Sequence, residues 1–183
     1  MQLHKTSAPL RACAREGDWV ARADRAKLKG GLIMDIVGKN DPRLKQVWKQ
    51  DSIPVVLRRV GKGERLRVRL PFAVDNANWL RGGKHTRPAW QTDIKCWEIP
   101  KAWFNDFVNR ALVRFGRLYV IQPYREQEKC SPSCLNAQGH ECECSCMGEN
   151  HGAGNDGSWF EVTEAFASRW GKHELACRLM VAL

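Results

Sequence analysis

Five cysteines and two histidines fall within 22 residues of this chain: Cys130, Cys134, His140, Cys142, Cys144, Cys146 and His151. No other feature limits the fold as strongly, because thiols gathered in this way serve either as disulfides or as ligands of a soft metal ion. Zinc takes four sulfur or imidazole donors at tetrahedral corners, commonly as pairs from tight turns or from adjacent strand positions. Both forms are present. Cys130-Ser131-Pro132-Ser133-Cys134 is a C-x3-C knuckle whose Pro132 presets a turn. Cys142-Glu143-Cys144-Ser145-Cys146 is a C-x-C-x-C run whose three sulfurs share one side if the chain is extended. Between them lie seven residues, with Asn136 and Gly139 permitting a reversal.

The candidate ligands are therefore Cys130, Cys134, Cys142, Cys144, Cys146 and His151. One zinc ion held by Cys134, Cys144, Cys146 and His151, or by Cys130, Cys134, Cys144 and Cys146, is the expected arrangement, and spacing does not choose between the two sets. Two ions with shared thiolates are a further arrangement. The expected role is structural, because three thiolates with one more donor close the coordination sphere. The polar stretch from Cys130 to Gly157 also has too little apolar surface to pack unaided. A catalytic metal would need an open position and a base such as Glu141, Glu143 or Glu149. Thiol redox chemistry would prefer a C-x-x-C at a helix start, and the cluster has none. Cys96 and Cys177 sit in apolar strands and read as core thiols, while Cys13, His4, His85 and His173 carry no pattern.

Charge is distributed unevenly. The 183 residues carry a net +10, and Met1 to Lys129 account for +14 of it, leaving −4 for Cys130 to Leu183. A basic body of this kind suits a polyanionic partner, with nucleic acid the commonest, or serves only solubility. No run of 18 apolar residues occurs, and no apolar stretch follows the charged N-terminal residues. Neither a membrane span nor a secretory signal is expected, and a cytoplasmic chain would keep its thiols reduced.

Hydrophobic patterning predicts an α+β fold, a small antiparallel or mixed sheet with helices on one side and a zinc-stapled loop. Glu64 to Leu70 alternates strictly up to Pro71, which predicts a strand with Arg65, Arg67 and Arg69 on one face and Leu66, Val68 and Leu70 on the other. Ile53 to Val60 reads as its hairpin partner through Gly61-Lys62-Gly63. A short helix capped by Asp75 should run to Gly82, followed by a strand at Ile94 to Ile99. Pro100 opens an amphipathic helix carrying Trp103, Phe104, Phe107, Val108, Ala111 and Leu112, ended near Gly116. Leu118 to Ile121 is a strand, Trp159 to Val162 another, and a polar turn then leads to the apolar stretch Glu174 to Val181. The expected organisation is a flexible basic arm at 1–31, a basic α+β domain at 32–129 including the ambiguous apolar run Leu32 to Val37, a zinc-binding insertion at 130–157, and a strand or helix at 158–183 completing the core.

Two features suit phosphate and base recognition. Arg58, Arg59, Lys62, Arg65, Arg67 and Arg69 fall within 12 positions, and neutralising that many phosphates would make binding steeply salt-dependent. Trp79 and Trp90 bracket the flexible basic loop with Arg81, Lys84 and Arg87, where aromatic faces lie beside mobile cations. The alternatives are a solvated strand edge that resists aggregation and tryptophans that pack a core, the preferred reading for Trp97, Trp103 and Trp159.

The segment Arg65 to Leu112 resembles the HARP-like module of annealing helicases. The likeness is carried by Leu66-Arg67-Val68-Arg69-Leu70-Pro71-Phe72, by Trp90, and by Lys95-Cys96-Trp97-Glu98-Ile99-Pro100 leading into an aromatic helix. It covers about a quarter of the chain, includes no helicase motor, and implies binding at junctions of single- and double-stranded DNA. The cysteine run faintly resembles SWIM zinc modules but departs from their spacing, since Cys146 and His151 are five apart. It looks more like a small family of uncharacterised actinobacterial and phage proteins. The resulting expectation is a zinc-containing, non-catalytic module that binds DNA or RNA. A second reading is a phage or mobile-element protein that docks on a host nucleoprotein complex. A third is a metal-dependent enzyme acting on nucleic acid, though no nucleophile and base are spaced for chemistry and no phosphate loop occurs.

Overall fold

The computed structural model describes residues 42–149, 160–170 and 173–183. The expected arm at 1–31, the run Leu32 to Val37, the glycine-rich stretch 152–157, His151 and Trp159 lie outside them. Its elements are α1 (Pro42–Lys49), β1 (Val55–Leu57), β2 (Leu66–Arg69), α2 (Asn76–Arg81), β3 (Ala89–Gln91), β4 (Cys96–Ile99), a 3-10 turn (Lys101–Trp103), α3 (Phe104–Phe115), β5 (Arg117–Pro123), α4 (Pro132–Leu135), β6 (Phe160–Trp170) and β7 (His173–Ala182). The class is α+β. Among the described residues, seven strands form one mixed sheet in the order β3-β4-β2-β1-β5-β7-β6. Only β1 and β5 pair in parallel, with Val56 opposite Val120; the other neighbours are antiparallel. Among the described residues no helix is long and apolar enough to cross a membrane.

The alternation in β2 does what it predicts: Leu66 and Val68 are fully buried and Arg67 and Arg69 are half-buried. Opposite residues of paired strands point to the same face, so the pairs Val55↔Arg69 and Leu57↔Arg67 assign both arginines to the Val55 face. The other face carries Val56, Leu66, Val68, Ile99, Leu118, Val120 and Met180. Helix α3 covers it with Phe104, Phe107, Val108, Ala111 and Leu112, all buried and spaced for one helical stripe. Its C-terminal glycine, Gly116, takes φ 71°, a left-handed conformation that ends the helix at little steric cost.

Several local expectations change. Helix α1 is an addition, and its Leu44, Val47 and Trp48 pack on the opposite face with Val55, Leu57, Ile121 and Cys177. Asp75 does not cap α2 through its side chain; its carboxylate instead takes both arms of Arg114, at 3.0 and 2.8 Å. This fork lowers the Asp75 pKa and ties α2 to α3. Strand β6 runs on to Trp170 where a polar turn is expected after Val162, because pairing with β7 resumes beyond a register shift at Val162/Glu164. The C-terminal apolar stretch, open in the sequence between strand and helix, is a strand.

Candidate metal centre

After β5 the chain leaves the sheet and builds a two-part loop. Ser131 caps the single turn α4, its Oγ accepting from the Cys134 amide at 3.4 Å, and Pro132 stands in the first turn, where a missing N–H is harmless. That turn presents Cys130 and Cys134 together. The second part is not extended, contrary to the pattern that suggests its shared side. Met147 N donates to Cys144 O at 3.1 Å and Glu149 N to Cys146 O at 2.9 Å, so Cys144 to Glu149 coils through turns, with Met147 at φ 48°. The sulfurs nevertheless converge.

The Sγ atoms of Cys130, Cys134, Cys144 and Cys146 all lie within 4.8 Å of one another. Cys144 is the hub, 3.6 Å from Cys130, 3.6 Å from Cys134 and 3.3 Å from Cys146. A tetrahedron with metal–sulfur bonds of about 2.3 Å has edges of about 3.8 Å, so the four sulfurs could hold one metal ion with small adjustments. This is one of the two ligand sets that spacing leaves open; the other requires His151. None of the seven described cysteines forms a disulfide. Cys142 is a fifth sulfur, buried, 3.4 Å from Cys144 and 3.5 Å from Cys146, on the inner side of the cluster.

Burial and crowding oppose ionisation of Cys130, Cys134 and Cys142. Hydrogen bonding with Cys146, followed by burial, pushes Cys130 up to about 11. Burial, followed by hydrogen bonding to Cys144, pushes Cys142 up to about 12 and raises Cys134 as well. Neutral thiols attract one another weakly, so five sulfurs at such spacings gain little from their own company. A cation reverses the balance by stabilising the thiolates.

The loop is fastened to the body by charge and hydrogen bonds. Arg58, next after β1 and almost buried, reaches Glu143 at 2.5 Å and Glu141 at 2.6 Å, gripping both sides of Cys142. Arg125 N donates to Glu143 O and Ser145 N to Glu128 O, both at 2.8 Å. His140 is not among the converging donors. Its Nε2 is 2.6 Å from Asn109 Oδ1, its backbone N–H bonds Asn105 Oδ1 at 2.8 Å, and its ring meets Phe160 edge-on at 5.1 Å. It pins the loop to α3.

No family model, curated protein or solved structure matches this chain. The site therefore rests on its own geometry.

The other candidate residues divide between two surfaces. Arg67 bonds Glu98 at 3.1 Å, Arg69 bonds Asp51 at 2.8 Å, and Arg59 bonds Glu64 at 2.5 Å, so the arginine ladder is largely matched by carboxylates. On the opposite face, Trp79 packs edge-on against Phe107 and Phe115 with Arg110 and Arg114 over its ring. Lys84 is held by Asp106 at 2.6 Å and lies over Trp103. Trp90, on edge strand β3, is 49% exposed and rests edge-on against Trp97 at 5.1 Å. Among the described residues, Lys62, Arg65, Arg81 and Arg87 have no carboxylate partner; Arg81 Nε donates to Lys84 O at 2.8 Å.

One neighbour of the centre is not evident from the sulfur pattern. Arg178 of β7 stands opposite Val120 and is 2% exposed. It donates through Nη1 to Met147 O at 3.3 Å and through Nη2 to His140 O, clasping the cysteine loop at both ends. Burial lowers its pKa, and the nearby charges that oppose this are those of Cys142, Cys146, Cys134 and Cys144. The available signal is a single charge inside the apolar run Leu175 to Val181.

Proposed function

We propose that this protein is a zinc-braced, non-catalytic module that binds nucleic acid. The observation that carries the reading is the segregation of charge, +14 over Met1 to Lys129 against −4 over the remainder. The acidic part spends Glu141 and Glu143 on holding the cysteine loop. Zinc is the ion of choice because four cysteine sulfurs at near-tetrahedral spacing make a closed, redox-inert site. The contacts we assign to nucleic acid are Lys62, Arg65, Arg81 and Arg87, which have no carboxylate partner among the described residues, together with the exposed face of Trp90 for base stacking. Arg58, Arg59, Arg67 and Arg69 serve the fold in this reading, because their carboxylate partners already neutralise them.

The resemblance to HARP-like modules makes forked DNA the first ligand to try, beside single strands, duplex and RNA. In gel shifts, affinity for the preferred ligand should fall roughly 150-fold between 50 and 200 mM salt, the response to about four phosphate contacts. Replacing Lys62 or Arg87 with alanine should reduce the salt slope by about one each, whereas Arg69→Ala should leave it unchanged. Absence of binding to all four ligands at low salt would sink the proposal.

A further inference from the structure

We propose that Arg178 is the built-in counter-ion of the metal centre, and that its positive charge sets how tightly the four cysteines hold a divalent ion. The inference rests on the zinc reading above. A buried guanidinium is costly unless opposite charge or acceptors surround it. Among the described residues Arg178 has no carboxylate partner; its two Nη groups reach only the carbonyls of His140 and Met147, and its buried Nε–H has no acceptor. Among the described residues the guanidinium thus reaches only the loop that carries the four cysteines. Four thiolates around a divalent ion carry a net −2, so the centre supplies what the guanidinium lacks, and the guanidinium supplies half of what the centre lacks.

Two more observations agree. Arg58 lies on the same face, and its Nε–H is likewise buried without an acceptor while its fork holds Glu141 and Glu143. The loop is also shaped around Arg178. Gly148 stands at φ 97°, and a Cβ there would collide with Arg178 Nη1, so only glycine suits that turn with the guanidinium in place. Arg178 is thus a positioning residue that touches the loop carbonyls and acts on the ion through charge.

The test compares the full chain with Arg178→Met and Arg178→Lys, titrating each with zinc against a chromophoric chelator. The methionine variant should bind zinc about 10- to 100-fold more weakly, as is usual when a residue behind the ligands is lost. The lysine variant keeps the charge without the fork and should stay within about threefold of the parent. Equal affinity in all three chains overturns the inference, and equal weakening in both variants overturns it in favour of the carbonyl clasp. If the methionine variant does not fold, the lysine variant decides alone, a loss beyond about tenfold being contradictory. Failure of the parent to bind zinc removes the metal reading itself, and this inference with it.

Discussion

Replacing Cys144 with serine should release the bound metal and lower the melting temperature by about 10 °C. Cys144 is the hub of the cluster, within 3.3–3.6 Å of Cys130, Cys134, Cys142 and Cys146. A hydroxyl there stays protonated at neutral pH and is a poor zinc ligand. A ligand present at a thousand times its dissociation constant adds about 4 kcal/mol of stability, and each kcal/mol moves the midpoint of a chain this size by about 2–4 °C. The measurement is thermal unfolding followed by circular dichroism, with and without excess chelator. Chelator should lower the parent to the level of the variant and leave the variant where it is. Cys96→Ser is the control: Cys96 is buried on the α1 face, where burial pushes its thiol up to about 12. A hydroxyl buried there costs about 1–3 kcal/mol whether or not chelator is present. If Cys144→Ser showed the same chelator-independent loss, the cluster would be packing and not a metal centre.

Arg58→Met should destabilise the chain by about 2–3 kcal/mol, near the lower end of what breaking a buried ion pair costs. Arg58 is buried, but Glu141 and Glu143 are 44% and 28% exposed and recover part of their hydration when it is gone. The methionine retains most of the apolar stem, so the change reports charge more than volume. Its signature should be local. Amide exchange should rise across residues 139–149, while the β1–β2 pairing from Val55↔Arg69 to Leu57↔Arg67 keeps its protection. Uniform loosening of the sheet would mean that Arg58 supports the core instead of the loop.

Strong periodicity was readable without coordinates, and weak periodicity was not. The alternation of Leu66 to Arg69 and the stripe from Phe104 to Leu112 place β2 and α3 because each buries one complete face. Helix α1 has only two turns, and its buried Leu44, Val47 and Trp48 are diluted by Arg43, Lys45 and Lys49, so local pattern says little until the sheet supplies a face to cover. Strand β3 is three residues long and follows a stretch rich in turn signals; Trp90 earns its place there by leaning on Trp97. In β6 the register shift at Val162/Glu164 breaks the period of two, which makes the second half look like a turn.

The centre shows the same division. Chemistry identifies the donors, but only the fold brings Cys130 to Cys144 and turns His140 toward Asn109. The grouping of Trp79 and Trp90 with the arginine ladder depends on which face each strand presents. Sequence proximity around β2 does not show that Arg67 and Arg69 lie across the sheet from Trp79. Arg178 is invisible for a related reason, since a lone arginine in a strand reads as an outward-facing charge until its two carbonyl partners are placed.

We infer that Cys130, Cys134, Cys144 and Cys146, whose sulfurs lie within 4.8 Å of one another, hold a single metal ion. X-ray absorption at the zinc edge, on full-length chain purified without added chelator and with its metal content counted, tests it directly. We predict one zinc per chain with four sulfur neighbours at about 2.3 Å. A shell of three sulfurs and one nitrogen would favour the set containing His151, and a chain without stoichiometric metal would rule out a metal centre at these cysteines.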